Sequence, residues 1–133
     1  MANRLWYQKV QSLLCGRTDI SGSFCPNGAG AVPTRSDVVT ANRPTGAGYT
    51  VARTGVGVFT LTFADQYFKL ISATATMQLA ASADTVVQVG TYDPLAKTLA
   101  LTVLTAGAPS DSVTLLANNR VHFQCTFSVS SVD

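Results

Sequence analysis

The chain has 133 residues, 47% of them apolar and only 12% charged, with a formal net charge of +2. That length suits one domain able to bury a real core, and that charge is too small for a nucleic-acid-binding footprint. Glu is absent, so paired-carboxylate chemistry would rest on scattered Asp.

The charged share is about half the usual one. Such a surface is expected to be covered by partners or sister subunits; the alternative is a monomer solvated by its Thr, Ser, Asn and Gln. Residues 1–53 carry six basic and two acidic residues, and residues 54–133 three basic and five acidic. This polarity fits a basic docking segment attached to a near-neutral body.

The start, "MANRLWYQKVQSLL", has no apolar core of signal-peptide length. No run approaches the length of a membrane span. Cys15, Cys25 and Cys125 are odd in number, which reads as reduced thiols made in a cytoplasm; a Cys15–Cys25 bridge is the alternative if the two lie on adjacent strands. "QKVQSLLC" (8–15) reads as a strand, or as a short helix with Trp6, Val10 and Leu13 or Leu14 at helical spacing and Gly16 as its C-cap. "DISGSF" (19–24) reads as a strand. Residues 25–37 and 38–48 are rich in Gly and Pro and read as a loop or extended arm, and an irregular run of that length is usually functional.

From Tyr49 the pattern is regular. "YTVAR" (49–53) and "GVFTLTF" (57–63) flank "TGVG", a tight hairpin, with Phe59, Leu61 and Phe63 inward and Thr60 and Thr62 outward. "LISATATMQL" (70–79) sets Ile71, Ala73, Ala75, Met77 and Leu79 against Ser72, Thr74, Thr76 and Gln78. "TVVQVGTY" (85–92) ends in a turn begun by Asp93-Pro94. "TLALTVL" (98–104) puts Leu99, Leu101 and Val103 on one face, and "VTLLA" (113–117) leads into Asn118-Asn119. The last strand, 120–130, sets Val121, Phe123, Cys125, Phe127 and Val129 against His122, Gln124, Thr126 and Ser128. Short alternating strands separated by turns predict an all-β antiparallel sandwich, jelly-roll-like, with residues 49–133 as its body and residues 1–48 as an N-terminal arm or extra strands contacting partners. The outward faces are small hydroxyl and amide groups, which suits packing against another copy because no Lys or Glu must be desolvated.

The residues carry little chemistry. His122 is the single His, and Cys125, three positions away on one strand, points to the opposite face. No metal spacing is present, and Asp65, Asp84, Asp93 and Asp111 each adjoin turn residues, where Asp bonds backbone N–H groups. "GAGAV" and "GAGYTVARTGVG" precede no predicted helix and lack a phosphate-loop Lys. The expectation is a non-enzyme with no cofactor, no metal, no nucleic acid and no membrane.

The start "MANRLWYQKVQSLL", the segment "NGAGAVPT" and then "GYTVARTGVGVFTLTFADQYFKLISATATMQLA" resemble small virion structural proteins of tailed bacteriophages. Arg53, Gly55, Gly57, Phe59, Asp65 and Tyr67 stand at the positions of a hairpin motif of that group. Asp111 with Asn118, Asn119, Arg120, Val121 and Phe123 resembles the ending of phage decoration proteins. The resemblance implies a capsid cement protein, made in the host cytoplasm and carried on the outer surface of the virion, which clamps major capsid subunits as a homotrimer. Arg4, Trp6, Tyr7, Lys9, Arg17, Arg35 and Arg43 are then the candidate capsid contacts. Thr60, Thr62, Thr74, Thr76, His122 and Gln124 are the candidate trimer contacts. A tail, neck or head-fibre component is the alternative, and a carbohydrate-binding module, which would want an exposed aromatic platform, ranks third.

Overall fold

A computed structural model describes residues 16–129. The strands are β1 (Arg17–Phe24), β2 (Thr45–Gly46), β3 (Tyr49–Gly55), β4 (Val58–Phe63), β5 (Lys69–Gln78), β6 (Thr85–Asp93), β7 (Thr98–Thr105), β8 (Ala108–Pro109) and β9 (Arg120–Ser128). They form two antiparallel sheets, ordered β2-β1-β9-β5 and β3-β4-β7-β6, with the short β8 added to the end of β7. Helix is confined, among the described residues, to one 3-10 turn at Thr40–Asn42. The predicted antiparallel sandwich is what the chain forms.

Period-2 alternation builds the core. Phe59, Leu61 and Phe63 of β4 and Leu99, Leu101 and Val103 of β7 are all at most 2% exposed, and they meet Val121, Phe123, Cys125 and Phe127 of β9. Burying each large apolar side chain contributes about 1.5–3 kcal/mol. The hairpin between β3 and β4 turns through Gly57 at φ +65°, where an added Cβ would sit 2.6 Å from the Ser110 nitrogen. Asp93 begins its predicted turn by accepting from the Leu95 and Ala96 amides.

Two bulges interrupt the alternation, and the first moves Ile71 off its predicted face. The β5–β9 register shifts between Leu70 and Ser72, so Leu70 packs against the core and Ile71 is 37% exposed. An extra residue in one strand reverses the alternation on one side of it. A second shift in β6, between Val89 and Tyr92, turns Tyr92 toward the core. Its hydroxyl accepts from the Tyr67 amide and donates to the Tyr67 carbonyl, and its ring lies against Phe63 and Phe127.

Two further expectations are corrected. Val129 is half exposed, because β9 ends at Ser128 and no strand orients it. Residues 113–117 form no strand; Val113 is buried and its carbonyl takes the Gly28 amide. Within residues 1–48, read as an arm or extra strands, β1 is such a strand: it lies between β2 and β9 and pairs with β9 from Arg17↔Ser128 to Phe24↔Val121. Ile20 and Phe24 point inward, and the Phe24 ring sits 5.3 Å from that of Phe59, so the sandwich body includes residues 17–24.

The segment after β1 folds back onto the sandwich, with Cys25, Pro26, Val32 and Pro33 buried. Arg120 fastens it. Its guanidinium donates to the Ser23 hydroxyl at 3.0 Å, the Cys25 sulfur at 3.1 Å, the Ala41 carbonyl at 3.0 Å and the Arg43 carbonyl at 2.7 Å. Next to it, buried Asn119 accepts from the Ala80 amide and donates to the Thr114 carbonyl.

Cys25 and Cys125 are buried free thiols. Burial pushes Cys125 up to about 11 from 9.0, and raises Cys25 less freely because Arg120 opposes it. A buried thiol in apolar surroundings is inert. Iodoacetamide at pH 8 is therefore expected to leave both unmodified in the native protein and to alkylate both in urea, read by peptide mass spectrometry. Because the folded Cys125 value lies above the unfolded one, the stability from keeping it neutral is full below pH 9 and is lost as pH rises toward 11.

Candidate docking surfaces

Each sheet shows one face to the core and one outward. On the first sheet the outward positions of β1, β9 and β5 line up in rows: Ser21, Gln124 and Thr74 in one, Ser23, His122 and Thr76 in the next. Thr74, Thr76, His122 and Gln124 rim a shallow, mostly polar hollow of about 380 Å³, which Ser21, Gly22 and Thr45 complete. His122 Nε2 lies 2.7 Å from Gln78 Oε1. Charge on this face is kept to its two ends: at one, Arg17 and Lys69 flank Ser128 and the Thr126 hydroxyl donates to Asp19; at the other, Arg120 lies buried under the arm.

The outward face of the second sheet is built from β3, β4, β7 and β6. Its rows pair Thr50 with Thr62 and Thr62 with Thr98, then Ala52 with Thr60 and Thr60 with Ala100. The Thr54 and Thr60 hydroxyls bond across the β3–β4 pair at 3.0 Å. These positions carry no charge. Arg53, in the same strand, points the other way.

Arg53 forms a two-pronged ion pair with Asp111, with Nε to Oδ1 at 3.1 Å and the second nitrogen to Oδ2 at 2.5 Å. Asp111 Oδ1 also accepts from the Gly57 amide at 2.8 Å. The hairpin motif and the later acidic position that the resemblance singled out are thus joined, and Asp111 ties the β3–β4 turn to the loop after β8 instead of serving a local turn. Hydrogen bonds from Arg53 and then from Gly57 hold its carboxyl below the usual carboxylate value of 3.8. A lowered folded value means stability that is present above about pH 4 and is lost as pH falls through the folded value. Asp111→Asn is expected to lower the urea midpoint at pH 7, and the gap from wild type is expected to shrink at pH 3.

The arm supplies a third surface. Residues 33–36 and Pro44 stand off from Tyr49, Thr50 and Val51 of β3, leaving a cleft of about 300 Å³. The Tyr49 hydroxyl shares its single proton between the Ser23 and Thr45 carbonyls, and the Arg35 guanidinium lies 5.3 Å from the centre of the Tyr49 ring.

The predicted site residues separate into distinct places. Arg4, Trp6, Tyr7, Lys9 and Cys15 lie outside the described residues. Arg35 and Arg43 lie on the arm, where Arg43 Nε donates to the Asp37 carbonyl. Arg17 is at the far end of β1, about 20 Å away at the usual rise per residue. Thr74, Thr76, His122 and Gln124 come together; Thr60 and Thr62 lie on the opposite outer face of the sandwich. The clamp by Arg120 escaped sequence reasoning, although its position directly before an inward Val, with no acidic residue near it in sequence, was a signal. Among the described residues no group of three or more His, Cys, Asp or Glu gathers in a way that would hold a metal ion, and no helix is long and apolar enough to cross a membrane.

Comparison with family models, curated proteins and solved structures finds no match to this chain.

Proposed function

We propose that the protein decorates the outside of a tailed-phage icosahedral head as a homotrimer and stabilises it by bridging major capsid proteins. The observation that carries this reading is the run of uncharged Thr, Ser, Gln and Ala positions across the middle of both outward sheet faces, in a chain with 12% charged residues. Covering Thr and Gln costs less desolvation than covering Lys or Glu. The antiparallel body suits a part that must hold its shape under load, and cyclic symmetry lets one modest contact repeat around an axis.

The geometry narrows how such a trimer closes. Contacts through two opposite faces stack copies into an open filament, whereas a ring needs inclined patches. We take the hollow on the first sheet, which four of the six candidates surround, as one of the two patches that a three-fold ring needs. Arg35 and Arg43 on the arm, and Arg17 at the other end of β1, remain the candidates for capsid carboxylates. Thr76→Arg is expected to weaken the trimer about a hundredfold, roughly 3 kcal/mol, by burying an unpaired charge, while Thr62→Arg leaves it intact. Sedimentation with undecorated expanded heads tests the assignment to the shell: bound copies should scale with the number of shell subunits. A handful of copies per particle would instead indicate a tail or neck part.

A further inference from the structure

We propose that the open edge of β3, with the cleft beside it, is a strand-addition site for an extended acidic segment of a partner protein. The second sheet ends at β3, so one side of that strand is unpaired. The ladder shows which groups face out. The Ala64 amide donates to the Gly48 carbonyl on the β3 side, and the Phe63 amide donates to the Lys97 carbonyl on the β7 side. Hydrogen bonding alternates along an antiparallel strand, so Thr62 and Thr60 bond Thr50 and Ala52. The amides and carbonyls of Tyr49, Val51 and Arg53 then point away from the sheet, and no described residue bonds them.

Exposed edges of this kind are templates for another strand. Here the neighbouring wall includes Pro33 and Pro44, which have no N–H to offer, and the gap of about 300 Å³ between wall and strand is left open. That volume is at the low end for ligand pockets and fits a short length of one extended chain. A second sandwich would bring its own 33–36 loop onto the same edge.

Arg35 selects the charge of the occupant. It is exposed, it is steadied over the Tyr49 ring, and it has no carboxylate partner among the described residues. Residues 1–15 of the chain itself contain Arg4 and Lys9 and no acid, so they are the wrong charge. The fitting occupant carries backbone groups for β3, an apolar side chain for the cleft and an Asp or Glu for Arg35. This inference holds whatever particle the protein belongs to.

The test titrates the full chain with the peptide acetyl-TVEVTV-amide and follows backbone amides by NMR. The resonances of Tyr49, Val51 and Arg53 should shift and gain protection from exchange. The peptide acetyl-TVKVTV-amide, and the acidic peptide on Arg35→Glu, should each bind about tenfold more weakly; the lysine peptide should recover on Arg35→Glu. Arg35 is exposed, and the unchanged remainder of the spectrum will show that the variant folds. Absence of shifts on β3, equal binding of both peptides, or undiminished binding of a backbone N-methylated peptide would each overturn the proposal.

Discussion

Gly46→Ala is expected to destabilise the protein by about 2–5 kcal/mol. Gly46 has φ +87°, and a Cβ there would lie 2.2 Å from the Ser21 carbonyl oxygen and 2.9 Å from the Gly22 Cα. The left-handed backbone alone costs an L-residue about 1–2 kcal/mol, and overpacking adds about 1–3 kcal/mol. Relief cannot come from a flexible side chain, because the obstructing atoms are backbone. Gly22 stands opposite Gly46 in the β1–β2 pair. A Cβ on Gly22 would meet the Thr45 carbonyl at 2.4 Å and the Tyr49 ring at 2.7 Å. The two glycines are therefore one close approach seen from both strands, and Gly22→Ala should cost a similar amount. Urea denaturation of both variants, and of the double variant, checks this; the double is expected to cost less than the sum, because each substitution already separates the strands.

Arg120→Ala is expected to cost about 2–4 kcal/mol. A hydrogen bond to a charged group contributes about 1.5–3 kcal/mol, and Arg120 makes four contacts, to Ser23, Cys25, Ala41 and Arg43. The sum is not reached, for a physical reason. Its partners are neutral, so removing it strands no opposite charge, unlike the breaking of a buried ion pair. The partly exposed carbonyls of Ala41 and Arg43 can also take up water. Arg120→Lys keeps the charge but loses the planar fork, and should recover less than half of the loss. Amide exchange should localise the effect: residues 40–46 should open in the Arg120→Ala protein before the β4–β7 core does.

The strands that carry the core were readable because each alternates cleanly. Leu99, Leu101 and Val103, and likewise Phe59, Leu61 and Phe63, lie where period 2 puts them. The bulges at Ile71 and before Tyr92 were not readable, because a bulge is fixed by cross-strand neighbours and not by the local pattern. The place of β1 in the sheet was not readable, because its short Ser- and Gly-containing stretch gives no hint that β9, about a hundred residues later, pairs with all of it. Arg120 stands on an outward position of β9 and is nonetheless buried, because the arm, distant in sequence, covers it. Thr60, Thr62, Thr74 and Thr76 read as one set because alternation separates inside from outside and does not say which sheet a strand joins. Strand pairing puts the first two and the last two on opposite faces.

The decoration reading turns on assembly, so its most direct test is the mass of the purified protein by light scattering, followed at once by incubation with undecorated expanded phage heads. The account predicts a stable species at three times the 13.9 kDa chain mass that binds heads in proportion to their shell subunits. A monomer that leaves the heads bare would contradict it.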